Sequence, residues 1–317
     1  MAKAEGAGAT VANSNRPGQV GARPIGAGWG WLALAVGIAA GASWVPAAQK
    51  LNERITITDP GPATGLFDVL VFGPLIAIAV ILGLLSRRPV LRAGTRPMSW
   101  TLVGLACGVA AIAASAGFAW LSGGLRPAIQ PMPLVPALVG LSIALTLFQT
   151  GAEEMLFRGW LQPALITRIG VTGGVLGGAL IFAAFHIITG IPSWMSLVNL
   201  FLGGLWFGLL ALRSGGILAP LAAHFAYNAI EDCGLGLMPN GTVENGVQVW
   251  VGPLGALRDF DLIGAPLWGS GPEGLNASLG LTAALIAMIL PLLAPRAPRP
   301  VPGPAVVRGP LPNHRLI

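Results

Sequence analysis

Runs of about 20 apolar residues, the length that carries a helix across a bilayer core, recur eight times in this chain. They fall at roughly 29–48, 65–85, 100–121, 136–165, 172–190, 194–212, 215–231 and 276–294. A chain of this kind has too little polar surface to meet water: 9% of its residues are charged and 54% are hydrophobic, where soluble domains carry about a quarter charged. The pattern predicts an all-α fold, a polytopic integral membrane bundle of about eight transmembrane helices. A collagen and a disordered polar chain are excluded. The 46 Gly and 27 Pro agree, because membrane helices tolerate both residues better than soluble helices do. Trp29, Trp31, Trp100, Trp120 and Trp194 stand near the ends of these runs, where an interfacial aromatic belt places them. Two cysteines, Cys107 and Cys233, provide no disulfide framework.

The net charge of +6 does not point to nucleic acid, since no basic patch is interleaved with aromatics. It tracks the membrane instead. With eight spans, 14 of the 18 Lys and Arg fall on one side, among them Arg87, Arg88, Arg92 and Arg96, Arg158 and Arg168, and Arg213. Lys50, Arg54, Arg126 and Arg258 take the other. The positive-inside rule then makes both termini cytoplasmic. The first 28 residues do not resemble a short cleavable leader, so the first span is expected to be retained. An acidic-leaning external loop at 232–275, with Asp232, Glu244, Asp259, Asp261 and Glu273, is expected to precede the last span, and a Pro/Arg tail follows it that is expected to be extended and solvated. No fixed-period repeat appears, nor do mirrored broken helices. Gly173, Gly174, Gly177, Gly178, Gly204 and Gly208 are spaced for close helix packing.

An ionisable side chain in mid-membrane costs at least a few kcal/mol and is kept mainly for function. The fourth span carries Gln149, Glu153, Glu154 and Arg158, the fifth His186, and the seventh His224 and Asn228. His314, in the tail, is read as solvated. Glu154 and Arg158 stand i and i+4 and can pair, whereas Glu153 is turned about 100° away and is expected to have no partner on its own helix. His224 and Asn228 share a stripe, as do Phe182 and His186. Asn199 is expected to make a helix–helix hydrogen bond, and Asp68 to reach the interface. Tyr227, the single tyrosine, has no role beyond adjoining the seventh-span residues.

If spans four and five turn near Arg168 to Gly170, Glu153 and His186 both lie roughly 24 to 26 Å from the bend, at about 1.5 Å per residue. They are then expected to face each other. His224 matches that depth more loosely. Peptide hydrolysis needs a base for water and donors for the developing oxyanion. Glu153 with His186 can activate the water, His224 and Asn228 can hold the oxyanion, and Glu154 with Arg158 can steady the helix. The donors Glu153, His186 and His224 also make a chemically sound zinc set of two His and one Glu, with a bound water of lowered pKa. The contiguous H-E-x-x-H spacing of zinc proteases is absent. No cofactor is required, and zinc is left open.

The segments E-E-M-L-F-R at 153–158, F-A-A-F-H at 182–186 and H-F-A-Y-N at 224–228 resemble the E-E-x-x-x-R, F-x-x-x-H and H-x-x-x-N/D motifs of the CPBP family of intramembrane proteases. That group contains the type II CAAX prenyl endopeptidases and bacterial Abi proteins. The resemblance implies a four-helix catalytic core at 135–232, in which Glu153 and His186 activate water, Glu154 and Arg158 support them, and His224 and Asn228 stabilise the oxyanion. Members are often labelled metalloproteases, while a metal-free glutamate mechanism has also been proposed. Around this core lie an N-terminal segment (1–28), accessory spans (29–134), an external loop (233–275), a last span (276–294) and the tail (295–317). The expected partners are membrane lipid and a membrane-associated protein or peptide, which the resemblance allows to be prenylated, in a bacterial-type cell membrane. Two other functions compete: an Abi-like immunity or scaffold protein without catalysis, and a proton-coupled transporter using the same Glu and His as a relay.

Overall fold

The computed structural model describes residues 27–52, 54–55, 57, 60–129, 131, 133–189, 193–237, 241–244, 247–250, 254–270 and 273–294. The N-terminal segment before residue 27 and the tail from 295, with His314 and its arginines, lie outside the described residues.

Eight α-helices form among them: α1 (Ala27–Asn52), α2 (Pro60–Leu85), α3 (Pro97–Leu121), α4 (Pro136–Glu154), α5 (Gln162–Thr189), α6 (Trp194–Ser214), α7 (Leu218–Ala229) and α8 (Leu279–Leu293). Five stretches are long and apolar enough to cross a membrane: Gly30–Asn52, Gly61–Leu85, Pro97–Leu121, Pro136–Ile188 and Trp194–Ser214. The 53-residue stretch is broken inside α5, where Gly170 adopts φ 76 and ψ 174, a region open essentially to glycine. That bend is the turn expected near Arg168 to Gly170. The helices α7 and α8, at 12 and 15 residues, are shorter than a full crossing. Helix ends follow local chemistry: Pro97 and Pro136 occupy first positions, where proline's missing N–H costs nothing. Ser193 accepts from the Ser196 N–H and Ser278 from the Leu281 N–H, capping α6 and α8.

Two apolar cores result. One joins α1, α2 and α5 through Leu34, Val71, Leu75, Trp160 and Phe182. The other joins α3, α6, α7 and α8 through Ile112, Trp206, Leu210, Tyr227 and Leu281. Glycines let backbones touch: a Cβ on Gly104 would lie 2.2 Å from the Ala219 carbonyl oxygen, and one on Gly108 2.4 Å from that of Ala223. Helix α3 is therefore seated directly on α7. Of the expected packing glycines, Gly204 closes on Ala179 backbone and Gly174 on Ile166 backbone, while Gly177 and Gly178 make ordinary contacts.

Asn199 forms the expected interhelical link, donating to the carbonyls of Asn276 (2.9 Å) and Ser278 (3.0 Å) and accepting from Thr282 (2.7 Å). Asp68 departs from expectation: instead of reaching the interface it is buried, within electrostatic reach of Asp232, which is buried as well. Packing of α2 against α4 draws this boundary residue inward. The 233–275 region holds short β-structure. Strand β1 (Leu125–Pro127) pairs antiparallel with β4 (Phe260–Leu262), and β2 (Gly241–Glu244) with β3 (Val247–Trp250). Arg126 and Asp261 meet across the first pair at 3.7 Å.

Candidate active site

The fourth helix does not run straight through its polar residues. A π-helical segment, Met155–Leu161, begins directly after Glu154, and another, Ile230–Gly234, follows α7. Such turns are rare and gather at functional sites. Here each follows the C-terminal end of a helix that carries site residues, the glutamates on one and His224 on the other.

Glu154 is fully buried, and its Oε1 accepts from two groups: Arg158 Nη1 at 2.9 Å and His224 Nδ1 at 3.0 Å. Its Oε2 is buried without a hydrogen-bond partner. Arg158, itself buried, donates from Nη2 to the Gly204 carbonyl at 3.1 Å and lies 4.6 Å from the Phe182 ring and 5.2 Å from the Phe207 ring. The glycine matters locally, because a Cβ at 204 would press on the Ala179 backbone at 3.0 Å, so its absence lets α6 approach that guanidinium closely. One turn further, Gln162 reaches the Gly208 carbonyl in the same way, at 3.0 Å.

His224 stands between the two glutamates. With Nδ1 on Glu154, its Nε2 points toward Glu153 Oε2 at 3.9 Å. The ring is fixed from its sides as well, stacked on Phe207 at 4.6 Å and edge-on to Phe182 at 6.3 Å. The site thus sits at the seam between the two cores, Phe182 belonging to one and Phe207 to the other. Contrary to expectation, Glu153 does have a partner on its own helix: Gln149, one turn earlier on the same stripe, donates to its Oε1 at 3.4 Å.

His186 is half-buried, with its ring 4.8 Å from Phe182. Its Nδ1 bonds to the Phe182 carbonyl at 2.9 Å. A carbonyl can only accept, so Nδ1 carries the proton and a neutral ring would have its basic lone pair on Nε2. The imidazole found on both glutamates is that of His224, the one whose depth matched more loosely. The short α7 and its seat on α3 set His224 at that level. Asn228 lies one turn along α7 from His224, half-buried.

Among the described residues, no three His, Cys, Asp or Glu side chains group as a metal-ligand set. Of the expected zinc donors, His224 Nε2 and Glu153 Oε2 stand 3.9 Å apart, and His186 does not join them in a metal-ligand group, so two donors meet where a catalytic zinc site takes three from the protein. The arrangement as it stands does not fit that ion. It does fit acid–base chemistry: a carboxylate facing an imidazole edge, with a second carboxylate orienting the imidazole from behind.

The helices and their composition define a multi-pass membrane protein. Residues 135–230 match the family model described as Rce1-like, type II CAAX prenyl endopeptidase. That segment contains all three motifs and every candidate site residue, so the resemblance read from the motifs is borne out over this part of the chain. A protein of Bacillus subtilis (strain 168), the uncharacterized protein YpbD, is 34% identical over 91 residues. The match takes in 29% of this chain and 43% of that relative, so the chain spans less than half of its length.

Proposed function

We propose that this chain is an intramembrane endopeptidase that hydrolyses a peptide bond in a membrane-associated, lipid-modified protein or peptide. The observation that carries the proposal is the buried meeting of Glu153, Glu154, Arg158 and His224, two carboxylates, a guanidinium and an imidazole brought together at the seam of the two apolar cores.

Glu153 takes a proton from water, and the resulting hydroxide attacks the scissile carbonyl carbon. His186, with Nδ1 held by the Phe182 carbonyl, presents Nε2 as the second acceptor for that water. Charge then develops on the carbonyl oxygen. His224 in its doubly protonated form donates from Nδ1 to Glu154 and from Nε2 to the oxyanion, joined by the Asn228 amide. Glu154 and Arg158 are positioning residues: they fix the ring of His224. Glu153 returns its proton to the leaving amine as the tetrahedral intermediate collapses.

The test is to incubate the purified protein, in proteoliposomes, with a farnesylated peptide ending in a CAAX sequence and with its unmodified counterpart. Mass spectrometry of the products is expected to show release of the C-terminal tripeptide from the farnesylated form. Intact farnesylated peptide after prolonged incubation, across a panel of CAAX sequences, would overturn the assignment of this substrate class.

A further inference from the structure

A second polar constellation lies away from the site, where the α2–α3 link passes the corner of α5. Arg88 donates from Nη1 to the Pro163 carbonyl at 3.1 Å, and Arg168 from Nη1 to the next carbonyl, Ala164, at 2.6 Å. Two guanidiniums are therefore held on consecutive carbonyls. Arg92 joins them within electrostatic reach of Arg88, its backbone pinned by the Ile217 N–H at 2.8 Å and its Nε buried without a hydrogen-bond partner. The salt bridges of the described residues include none of these three arginines.

Capping of the carbonyls before the Gly170 bend accounts for one N–H from each of Arg88 and Arg168. It does not account for three like charges drawn together without an acid. Each guanidinium has five N–H donors, of which these carbonyl bonds and the contact of Arg168 with Thr167 use few, leaving others for the space around the three side chains.

The surroundings identify what that space would accept. Arg168 lies 5.8 Å from the ring of Trp31, an exposed tryptophan near the start of the first membrane-length stretch. Leu84 and Leu85, at the end of the second such stretch, are exposed, as are Leu91 and Ile169. Cationic donors thus sit at the level where apolar helices leave the bilayer, flanked by bare aliphatic side chains. A free anion would use the first feature only; a phospholipid uses both.

We propose that Arg88, Arg92 and Arg168 form a binding site for the phosphate of an anionic phospholipid headgroup, with the acyl chains lying on Leu84, Leu85 and Ile169. The lipid neutralises the cluster and ties the α2–α3 link to the corner of α5. The proposal is independent of catalysis and rests only on the chain being a membrane protein.

The test is native mass spectrometry of delipidated, detergent-solubilised protein titrated with phosphatidylglycerol and, separately, with phosphatidylcholine of the same acyl chains. The wild type is expected to retain phosphatidylglycerol preferentially. An Arg88→Gln/Arg168→Gln variant should lose roughly thirtyfold in apparent affinity, from what each arginine contributes near an anionic lipid. An Arg87→Gln/Arg96→Gln variant removes the same charge from neighbouring exposed positions and should stay within about twofold of wild type. Equal losses in the two variants would show a diffuse field and overturn the site, as would undiminished retention in the first. Displacement of the lipid by millimolar inorganic phosphate would assign the site to free phosphate instead. Should the first variant not fold, Arg168→Gln alone is read, because Thr167 Oγ1 keeps the Ala164 carbonyl bonded at 2.9 Å. A loss of about fivefold is expected there, and no loss overturns the proposal.

Discussion

Replacing Arg158 by leucine removes one partner of the most deeply buried charge in the described site. Glu154 would keep the His224 contact at 3.0 Å but lose the 2.9 Å guanidinium bond, with its Oε2 already unpartnered. The Gly204 carbonyl would lose its donor as well. Breaking a buried ion pair from one side costs about 3–5 kcal/mol, which at roughly 2–4 °C per kcal/mol lowers the melting temperature by on the order of 10 °C. Removing both charges is different. In a Glu154→Leu/Arg158→Leu variant the new side chains meet Phe157, Phe182 and Phe207, the rings now around Arg158. What remains is about 1–3 kcal/mol for the deserted His224 Nδ1 and Gly204 carbonyl. The double variant should therefore melt above the Arg158→Leu single variant by an amount worth about 2 kcal/mol, read from thermal unfolding of the two proteins. Proteolytic activity should fall by about a hundredfold in both, since a mispositioned ring costs that much in rate. A single variant as stable as the double would refute the coupled burial of the two charges.

Other expected outcomes follow from single positions. Gly170→Ala meets no neighbour within 4 Å, so its cost of about 1–3 kcal/mol comes from the positive-φ backbone alone, measurable as a lowered melting temperature that no compensating cavity mutation restores. Gly108→Ala drives a Cβ against the Ala223 carbonyl, with about 1–3 kcal/mol of overpacking and a fall in kcat as His224, the next residue, shifts; unchanged kcat would separate the α3 contact from the site. Asn199→Ala strips donors from two carbonyls joining α6 to the start of α8, costing about 1–3 kcal/mol and raising hydrogen exchange around Ser278. Exchange unchanged there would show that other contacts hold this corner.

Much of the fold was legible because a bilayer imposes one rule: apolar runs become helices. The turn near Arg168 to Gly170 and the Glu154–Arg158 pair followed from span length and i, i+4 spacing, and the Asn199 link from a lone amide within an apolar span. What spacing cannot reveal is relative depth and helix irregularity. Equal counting from the bend favoured His186 as the neighbour of Glu153, yet it was His224 that came to both glutamates, because α7 is short and its level is set by glycine contacts with α3. The π-helical segments after Glu154 and Ala229 leave no mark in a hydropathy pattern. Gln149 was visible as a polar residue in the fourth span, but its bond to Glu153 depends on side-chain direction. Asp68 could be placed near a span boundary, while its burial depends on packing against a helix far away in sequence.

The Glu153 carboxylate is where the proposed chemistry starts, and Glu153→Gln keeps its shape and its place beside Gln149 while removing the base. Cleavage of a farnesylated CAAX peptide by the two purified proteins, followed by mass spectrometry, is the most direct measurement. The wild type is predicted to release the tripeptide and the variant, folded and melting within about 2 °C of it, to release at least a hundredfold less. Release by the variant at the wild-type rate would contradict the assignment.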